Sequence, residues 1–140
     1  MALSNIGGGS QVGDGNTAEI QMGVQAAPQT ATVTATLSVA QTTGGILVVS
    51  PVTTAATLTW PTAAALDAAL GNAKVNSTFE QTVINLGTST GIVTMAVGSG
   101  ITAVGNLLVG ITGTAAGYPG TGLFEFRKTG DGAWTVYRMA

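Results

Sequence analysis

The sequence contains neither cysteine nor histidine, which excludes several classes of chemistry. Without cysteine there are no disulfides or thiolate ligands, and without histidine there is no imidazole ligand and no triad with a histidine base. Charge is also scarce, because Lys, Arg, Asp and Glu make up 7% of 140 residues, against about 25% in an ordinary domain. With only four Lys and Arg, we expect no phosphate-binding surface and no direct contact with nucleic acid.

The six carboxylates are scattered along the chain, with no close acidic pair to suggest a glycosidase or a metal site. Glycine-rich stretches at Gly13-Asp14-Gly15 and Gly98-Ser99-Gly100 resemble phosphate loops, but neither carries the lysine of a Walker motif. We therefore expect no catalytic residue, no cofactor site and no metal site. A small hydrolase is the least favoured interpretation.

The most abundant residues are threonine, alanine and glycine, with 23, 21 and 21 residues respectively. Threonine favours the pleated sheet and glycine favours turns, so the composition is typical of short strands joined by tight turns. We predict a single all-β domain, a jelly-roll-like β-sandwich of about eight short strands with one short helix. The uncharged stretch around residues 92–111 contains glycine and polar residues throughout, so we expect no membrane span.

Residues 1–29 differ from the rest and are predicted to form an extended N-terminal arm, with the sandwich domain at residues 30–140. Apolar residues in the arm are isolated, as Ile20, Met22 and Val24 illustrate. They are too sparse for a core, so the arm either becomes ordered on a neighbouring surface or remains a disordered tail. Both interpretations stay open, and the first makes these three residues interface candidates.

Strands and one helix follow from the hydrophobic pattern of the remaining chain. Alternation over residues 30–39 and apolar or β-branched runs elsewhere predict strands. A helix is predicted over residues 63–70, with Thr62 as its N-cap. The further strands are predicted at residues 46–49, 56–60, 78–85, 92–97, 106–112, 123–127 and 133–139.

The last two strands are predicted to form a hairpin with a five-residue loop at residues 128–132. Pairing Phe126 with Trp134 and Phe124 with Val136 places the large apolar side chains on one face. The opposite face then carries Leu123 and Tyr137 among polar residues, and we predict a subunit contact there. Leu123 and Tyr137 are therefore interface candidates.

A sugar-binding surface would need exposed aromatic platforms. Trp60 lies before Pro61 and is expected to cover the core, whereas Tyr118, followed by Pro119, lies in a glycine-rich loop and is the best candidate for exposure. Tyr118 is therefore also an interface candidate. The Thr-x-Thr row at residues 30–36 has ice-binding spacing, but it occurs once, so the outer face of a single strand is the preferred interpretation.

Residues 38–140 resemble the small β-sandwich modules of tailed-bacteriophage virions, namely capsid decoration (cement) proteins and related head-fibre modules. The resemblance rests on ATLTWPTAAALDAAL at residues 56–70 and on Phe79 followed by TVIN at 82–85. It rests also on FEFRKTG at 124–130 and GAWTVYR at 132–138. No catalytic residue belongs to this pattern.

The resemblance implies a non-catalytic homotrimer on the outer capsid surface of a virion, where it bridges neighbouring subunits of the major capsid protein and stabilises the shell. Fibre and decoration modules share the pattern. The alternative is therefore a phage fibre or receptor-binding module that recognises a host surface glycan.

Overall fold

Ten strands and two short helices form the part of the chain that the structure, a computed structural model, describes: residues 23–112 and 119–140. The helices are α1 (Val39–Thr43) and α2 (Ala63–Ala69). The strands are β1 (Gln29–Ala31), β2 (Ala35–Thr36), β3 (Ile46–Val49), β4 (Ala56–Thr59), β5 (Thr78–Asn85), β6 (Val93–Ala96), β7 (Ile101–Val104), β8 (Leu108–Val109), β9 (Thr121–Gly130) and β10 (Ala133–Arg138). The prediction of a β-rich chain is confirmed.

The strands belong to two sheets, between which the chain alternates from β1 to β9. Six strands form one sheet in the order β1-β3-β5-β9-β10-β7, and four form the other in the order β2-β4-β6-β8. Five of the eight strand pairs are parallel and three are antiparallel. A jelly roll is built from antiparallel strands, so the strand pairing differs from that detail of the prediction.

The alternation gives the molecule two different ends. Strands β1, β3 and β5 run parallel, so the loops at residues 32–34, 50–55 and 86–92 follow their carboxyl ends at one edge, called here the loop end. Helices α1 and α2 precede β3 and β5 at the opposite edge, called here the helix end. Residues 23–28 also lie at the helix end, where the side chain of Gln25 donates a 2.7 Å hydrogen bond to the carbonyl of Gly44.

The hydrophobic core takes side chains from both sheets and from α2. Leu47 and Phe124 come from the six-stranded sheet, Leu58 and Met95 from the four-stranded sheet, and Leu66 from α2. All five are essentially inaccessible to solvent. One shared core therefore holds the two sheets and the helix together.

Aromatic rings form the centre of this core. Trp60 contacts Phe124 and Phe126 edge-on, with ring centroids 5.1 Å and 5.2 Å apart, and Phe126 stacks on Phe79 at 4.7 Å. The indole Nε1 of Trp60 donates a 2.7 Å hydrogen bond to the side-chain oxygen of the buried Gln81. Trp134 is buried, as its predicted place in the core requires. Trp60 is also fully buried and packs among the central rings, whereas the sequence predicts a residue that covers the core.

Helix α2 matches its prediction closely, including the cap. The amide of Ala65 donates to the Thr62 side chain at 3.2 Å, which is the expected N-cap bond. Helix α1 is not predicted, although its signal is present in the sequence. Ser38 and Gln41 exchange side-chain and backbone hydrogen bonds as a capping box.

The predicted strand over residues 30–39 is wrong. The chain instead forms β1, crosses at residues 32–34 to the other sheet as β2, and enters α1 after Ser38. Continuous alternation is compatible with a single strand, but here it spans a crossover between sheets. As a consequence, the Thr-x-Thr row does not lie along one strand.

The predicted pattern misses β7, whose residues lie between the predicted strands 92–97 and 106–112. The turn at Gly98-Ser99-Gly100 leads directly into it. Gly100 has φ +81°, and a Cβ there would lie 2.5 Å from the carbonyl oxygen of Gly132. A glycine is therefore required where this turn passes the β9–β10 turn.

The terminal hairpin forms with a register two residues away from the predicted one. Trp134 is opposite Lys128, and Val136 is opposite Phe126, with a bulge between Ala133 and Trp134. A two-residue shift keeps each side chain on its face, so the large apolar groups are buried together as predicted. The loop shortens from five residues to Asp131 and Gly132, and Gly132 adopts φ +63°.

Candidate interaction surface

The outer face of the six-stranded sheet is the surface on which the sequence places a subunit contact. The inner face of that sheet contributes to the core, whereas every side chain on the outer face is partly or fully exposed within the described chain. Leu123 and Tyr137 both lie on this outer face and are partly exposed. Their predicted common face is therefore confirmed, although a role in a contact is not thereby shown.

Neighbouring strands extend the apolar part of this face beyond Leu123. Ile46 pairs with Thr82, and Thr82 pairs with Leu123, so the three cross the sheet in one row. Val48 pairs with Ile84 in the next row, two residues further along the strands. We call Ile46, Val48, Ile84 and Leu123 the apolar band. Val48 and Ile84 are direct neighbours on adjacent strands, about 4.8 Å apart, and Leu123 is the diagonal neighbour of Ile84.

The band is partly a surprise, because Ile46 and Val48 belong to a run that predicts a fully buried strand. The strand itself, residues 46–49, is confirmed. Only Leu47 and Val49 are fully buried, while Ile46 and Val48 keep solvent contact on the outer face. A short apolar run does not distinguish a strand that is buried on both faces from one whose second face is partly exposed to solvent.

Charged residues border the band on the side of the helix end. Glu80 lies directly opposite Glu125 in the register, and Glu125 lies opposite Tyr137. Like charges at paired positions oppose the strand pairing. The two glutamates therefore place like charge beside the apolar band on the outer face.

Tyr137 is held in place by Arg127, two residues along the chain from Glu125. The guanidinium donates to the Tyr137 hydroxyl from Nη2 at 2.9 Å and from Nε at 3.2 Å. Its Nη1 donates at 2.9 Å to the side chain of Asn76. The tyrosine ring is therefore preorganised on the outer face, which reduces the entropic cost of using it in a contact.

The remaining interface candidates have different outcomes. Val24 lies in the extended stretch before β1 and is fully exposed. Ile20, Met22 and Tyr118 lie outside the described residues, as does most of the predicted arm at residues 1–29. Gln29, which the prediction places in the arm, is the first residue of β1 and pairs with Leu47.

One ion pair joins α2 to the terminal hairpin at the helix end. Lys128, nearly buried on the inner face of β9, places its Nζ 3.0 Å from the Asp67 carboxylate. That carboxylate also accepts hydrogen bonds from the Gly132 amide at 2.7 Å and from the Trp134 indole at 2.8 Å. These hydrogen bonds, from Gly132 first and then Trp134 and Lys128, lower the pKa of Asp67 below its ordinary value.

Both oxygens of Asp67 therefore take part in contacts that hold α2 against the terminal hairpin. A cavity of about 310 Å³ lies nearby, lined by Thr43, Leu70, Asn72, Ala73, Ser77, Thr78, Phe79 and Trp134. None of these residues is ionisable. Across residues 23–112 and 119–140, no group of three Asp or Glu side chains is placed to hold a metal ion. No helix in the same ranges is long and apolar enough to span a membrane.

Neither tryptophan offers the aromatic platform that sugar recognition would need. Trp60 and Trp134 are buried, and the exposed edge of Tyr137 is tied to Arg127. Tyr118, the remaining sequence candidate for a platform, lies outside the described residues, so its exposure stays a prediction.

No protein-family model matches the chain, and the searches of curated proteins and of solved structures give no match either.

Proposed function

We propose that the protein is a non-catalytic structural component of a phage virion that decorates the outer capsid surface as a homotrimer. In this role it bridges neighbouring subunits of the major capsid protein and stabilises the shell. The proposal combines the resemblance of residues 38–140 to decoration modules with the surface chemistry of the described chain.

The observation that carries the proposal furthest is the apolar band beside a preorganised tyrosine. Four aliphatic side chains on adjacent strands keep solvent contact, although the same strands bury their alternate residues completely. Contiguous apolar surface on a sheet face is typical of a protein–protein contact. We assign this face to the contact between copies, with Leu123 near its centre.

We also assign the two sheets to a β-sandwich, the architecture that the resemblance implies. Supporting this, the core residues Leu47 and Phe124 of one sheet pack in the same cluster as Leu58 and Met95 of the other. A sandwich would orient the apolar band away from that core and toward a neighbouring copy.

Low charge suits attachment to a capsid that must persist as salt changes. Charge pairs are screened by salt, whereas apolar burial is not. Several copies attached together would multiply weak individual contacts, and the arm at residues 1–29 would enlarge the contact area as it becomes ordered on a neighbour.

The experiment that tests this function uses capsids of the encoding virus assembled without the protein. Sedimentation velocity should give a discrete trimer in solution, and the trimer should co-sediment with the capsids until a fixed number of sites is filled. An oligomer that does not bind capsids would contradict the proposal. In that case the glycan-binding alternative, which depends on exposure of Tyr118, becomes the working hypothesis.

A further inference from the structure

Val52, in the loop between β3 and β4, has a backbone conformation that a β-branched residue rarely adopts. Its φ is +57°, in the left-handed region that favours glycine and asparagine. The side chain does not compensate for the strain by packing, because it is 69% exposed. Strained positions of this kind concentrate at functional sites.

The surrounding loops enforce this conformation. The carbonyl of Val52 accepts a 2.7 Å hydrogen bond from the Thr88 amide, and the Thr54 amide donates to the Pro51 carbonyl at 3.1 Å. Pro51 is itself buried. A glycine or asparagine would therefore satisfy the same backbone with less strain, so folding gives no reason for a valine here.

A cavity beside Val52 supplies a reason. It has a volume of about 590 Å³ at the loop end, between the loop that joins β1 to β2 and the loop that joins β3 to β4. Val33, 67% exposed, lies in the first of these loops and Val52 in the second. The lining residues are Thr32, Val33, Thr34, Ser50, Pro51, Val52, Thr54, Ala55 and Ala56. They include no charged and no aromatic side chain.

The cavity also adjoins two sheet edges. Strand β1 is the outermost strand of the six-stranded sheet and β2 is the outermost strand of the other. The loop that lines the cavity joins these two strands directly. The Thr30 carbonyl of β1 is already occupied, since it accepts a 2.8 Å hydrogen bond from the Gln41 side chain. An extended peptide would therefore lie in the groove between the two loops and place alternate side chains in the cavity.

We propose that this cavity is an attachment site for an extended, uncharged segment of a partner protein, with Val52 and Val33 as its apolar contacts. The lining offers no charge to pair with a charged peptide and no aromatic ring to stack on a sugar, so an uncharged segment fits it best. The identity of the partner rests on the proposed function, under which the segment belongs to the major capsid protein. Strain at Val52 is retained because its side chain is used in attachment.

The test compares Val52→Gly, Val52→Thr and Ser89→Gly by urea unfolding and by capsid co-sedimentation. Ser89 is the matched control because it is also exposed, has the same φ of +57° and lies in the neighbouring loop without lining the cavity. Both glycine variants should unfold at an equal or higher urea concentration than the wild type. Only Val52→Gly should bind capsids more weakly, by at least about tenfold.

Val52→Thr keeps the β-branched shape and the strain but replaces a methyl group with a hydroxyl. It should fold like the wild type and bind less tightly, which separates apolar contact from backbone strain. Equal binding by the wild type, Val52→Gly and Val52→Thr would overturn this inference and leave the proposed function intact. A lower urea midpoint for Val52→Gly would overturn the strain argument, and a wild type that does not bind capsids would refute the proposed function itself.

Discussion

The carboxylate of Asp67, on α2, accepts a 2.8 Å hydrogen bond from the indole Nε1 of Trp134, on β10. The two residues are 67 positions apart in the chain, and the bond fixes the helix against the terminal hairpin. Lys128 completes the arrangement, since its ammonium group is nearly buried and lies 3.0 Å from the same carboxylate. Removal of the carboxylate would leave a buried cation and a buried indole N–H without their partner.

We therefore expect Asp67→Ala to lower the urea midpoint of unfolding clearly. The matched control is Asp131→Ala, because Asp131 is also an acidic neighbour of Lys128, at 3.8 Å, but is fully exposed. The control should unfold close to the wild type, since exposed ion pairs contribute little. Equal midpoints for the two variants would contradict the structural role of Asp67.

Stability should also depend on pH through Asp67. The pKa of this carboxyl is lowered from its ordinary value of 3.8, so the folded state binds its proton less readily than the unfolded state. The stabilisation is therefore complete above the ordinary pKa and is lost as the pH falls through it toward the lower folded value. Urea midpoints between pH 7 and pH 2 should fall more for the wild type than for Asp67→Asn, and parallel curves would contradict this assignment.

Asn85 is a second buried polar residue whose role the structure defines. Its Nδ2 donates to the carbonyls of Gly110 at 2.7 Å and Gly91 at 2.9 Å, and its Oδ1 accepts from the Gly87 amide at 2.7 Å. Asn85→Asp would place a buried carboxylate against carbonyl oxygens, so we expect a loss of about 3–5 kcal/mol in the free energy of unfolding.

The same substitution at Asn106 provides the control for this prediction. Asn106 is exposed and uses its Oδ1, as an acceptor from the Leu108 amide at 2.9 Å. A carboxylate keeps that bond, so Asn106→Asp should change the free energy of unfolding by no more than about 0.5 kcal/mol. Chemical denaturation at pH 7 measures both, and similar losses would mean that burial of the amide does not determine the effect.

The apolar band should control assembly rather than folding. Leu123→Asp would place a charge within the band, so we expect the oligomer to dissociate while the chain stays folded, with a loss of about 1 kcal/mol or less in the free energy of unfolding. Tyr137→Asp is a weaker probe, because Arg127 could pair with the new carboxylate. Thr102→Asp, on the outer face of the edge strand β7, is the control and should remain oligomeric. Sedimentation velocity distinguishes the two variants, and a Leu123→Asp variant that remains oligomeric would show that the contact between copies lies elsewhere.

Deletion of residues 1–28 tests the predicted arm without removing β1, which begins at Gln29. The shortened chain loses the hydrogen bond from Gln25 to Gly44 but keeps the core, so it should remain folded and oligomeric. If the arm becomes ordered on a neighbouring capsid subunit, capsid affinity should fall by at least about tenfold. Equal affinity of the two chains in co-sedimentation would favour the disordered-tail interpretation.

The parts of the fold that the sequence predicts well are those set by local pattern. Helix α2 and strands β3 and β5 follow from alanine content, a threonine cap and short β-branched runs. The pattern predicts the correct inward face of the terminal hairpin, because a two-residue slip preserves alternation, but it does not predict the register in which Trp134 lies opposite Lys128 and Lys128 contacts Asp67. That contact is set by tertiary packing, and the local pattern does not specify it.

The parallel pairing of β1, β3 and β5 and the crossover at residues 32–34 are likewise set by tertiary packing. For the candidate surface, the sequence identified Leu123 and Tyr137 as neighbours on an outer face. It does not identify Ile46 and Val48, because an apolar run does not indicate which face of the strand is exposed to solvent. The residue pattern gives no signal for the positive φ of Val52, because that conformation depends on a tertiary contact. The contact is the hydrogen bond from the Thr88 amide, in the 86–92 loop, to the Val52 carbonyl.

The most direct test of the central claim, that the protein stabilises a capsid by bridging its subunits, is the temperature at which DNA-filled capsids release their DNA. It can be followed with a DNA-binding dye on capsids that lack the protein, before and after saturation with the purified protein. The account predicts a higher release temperature for saturated capsids and an intermediate one at partial occupancy. A release temperature that does not change, although the protein is bound at saturation, would contradict it.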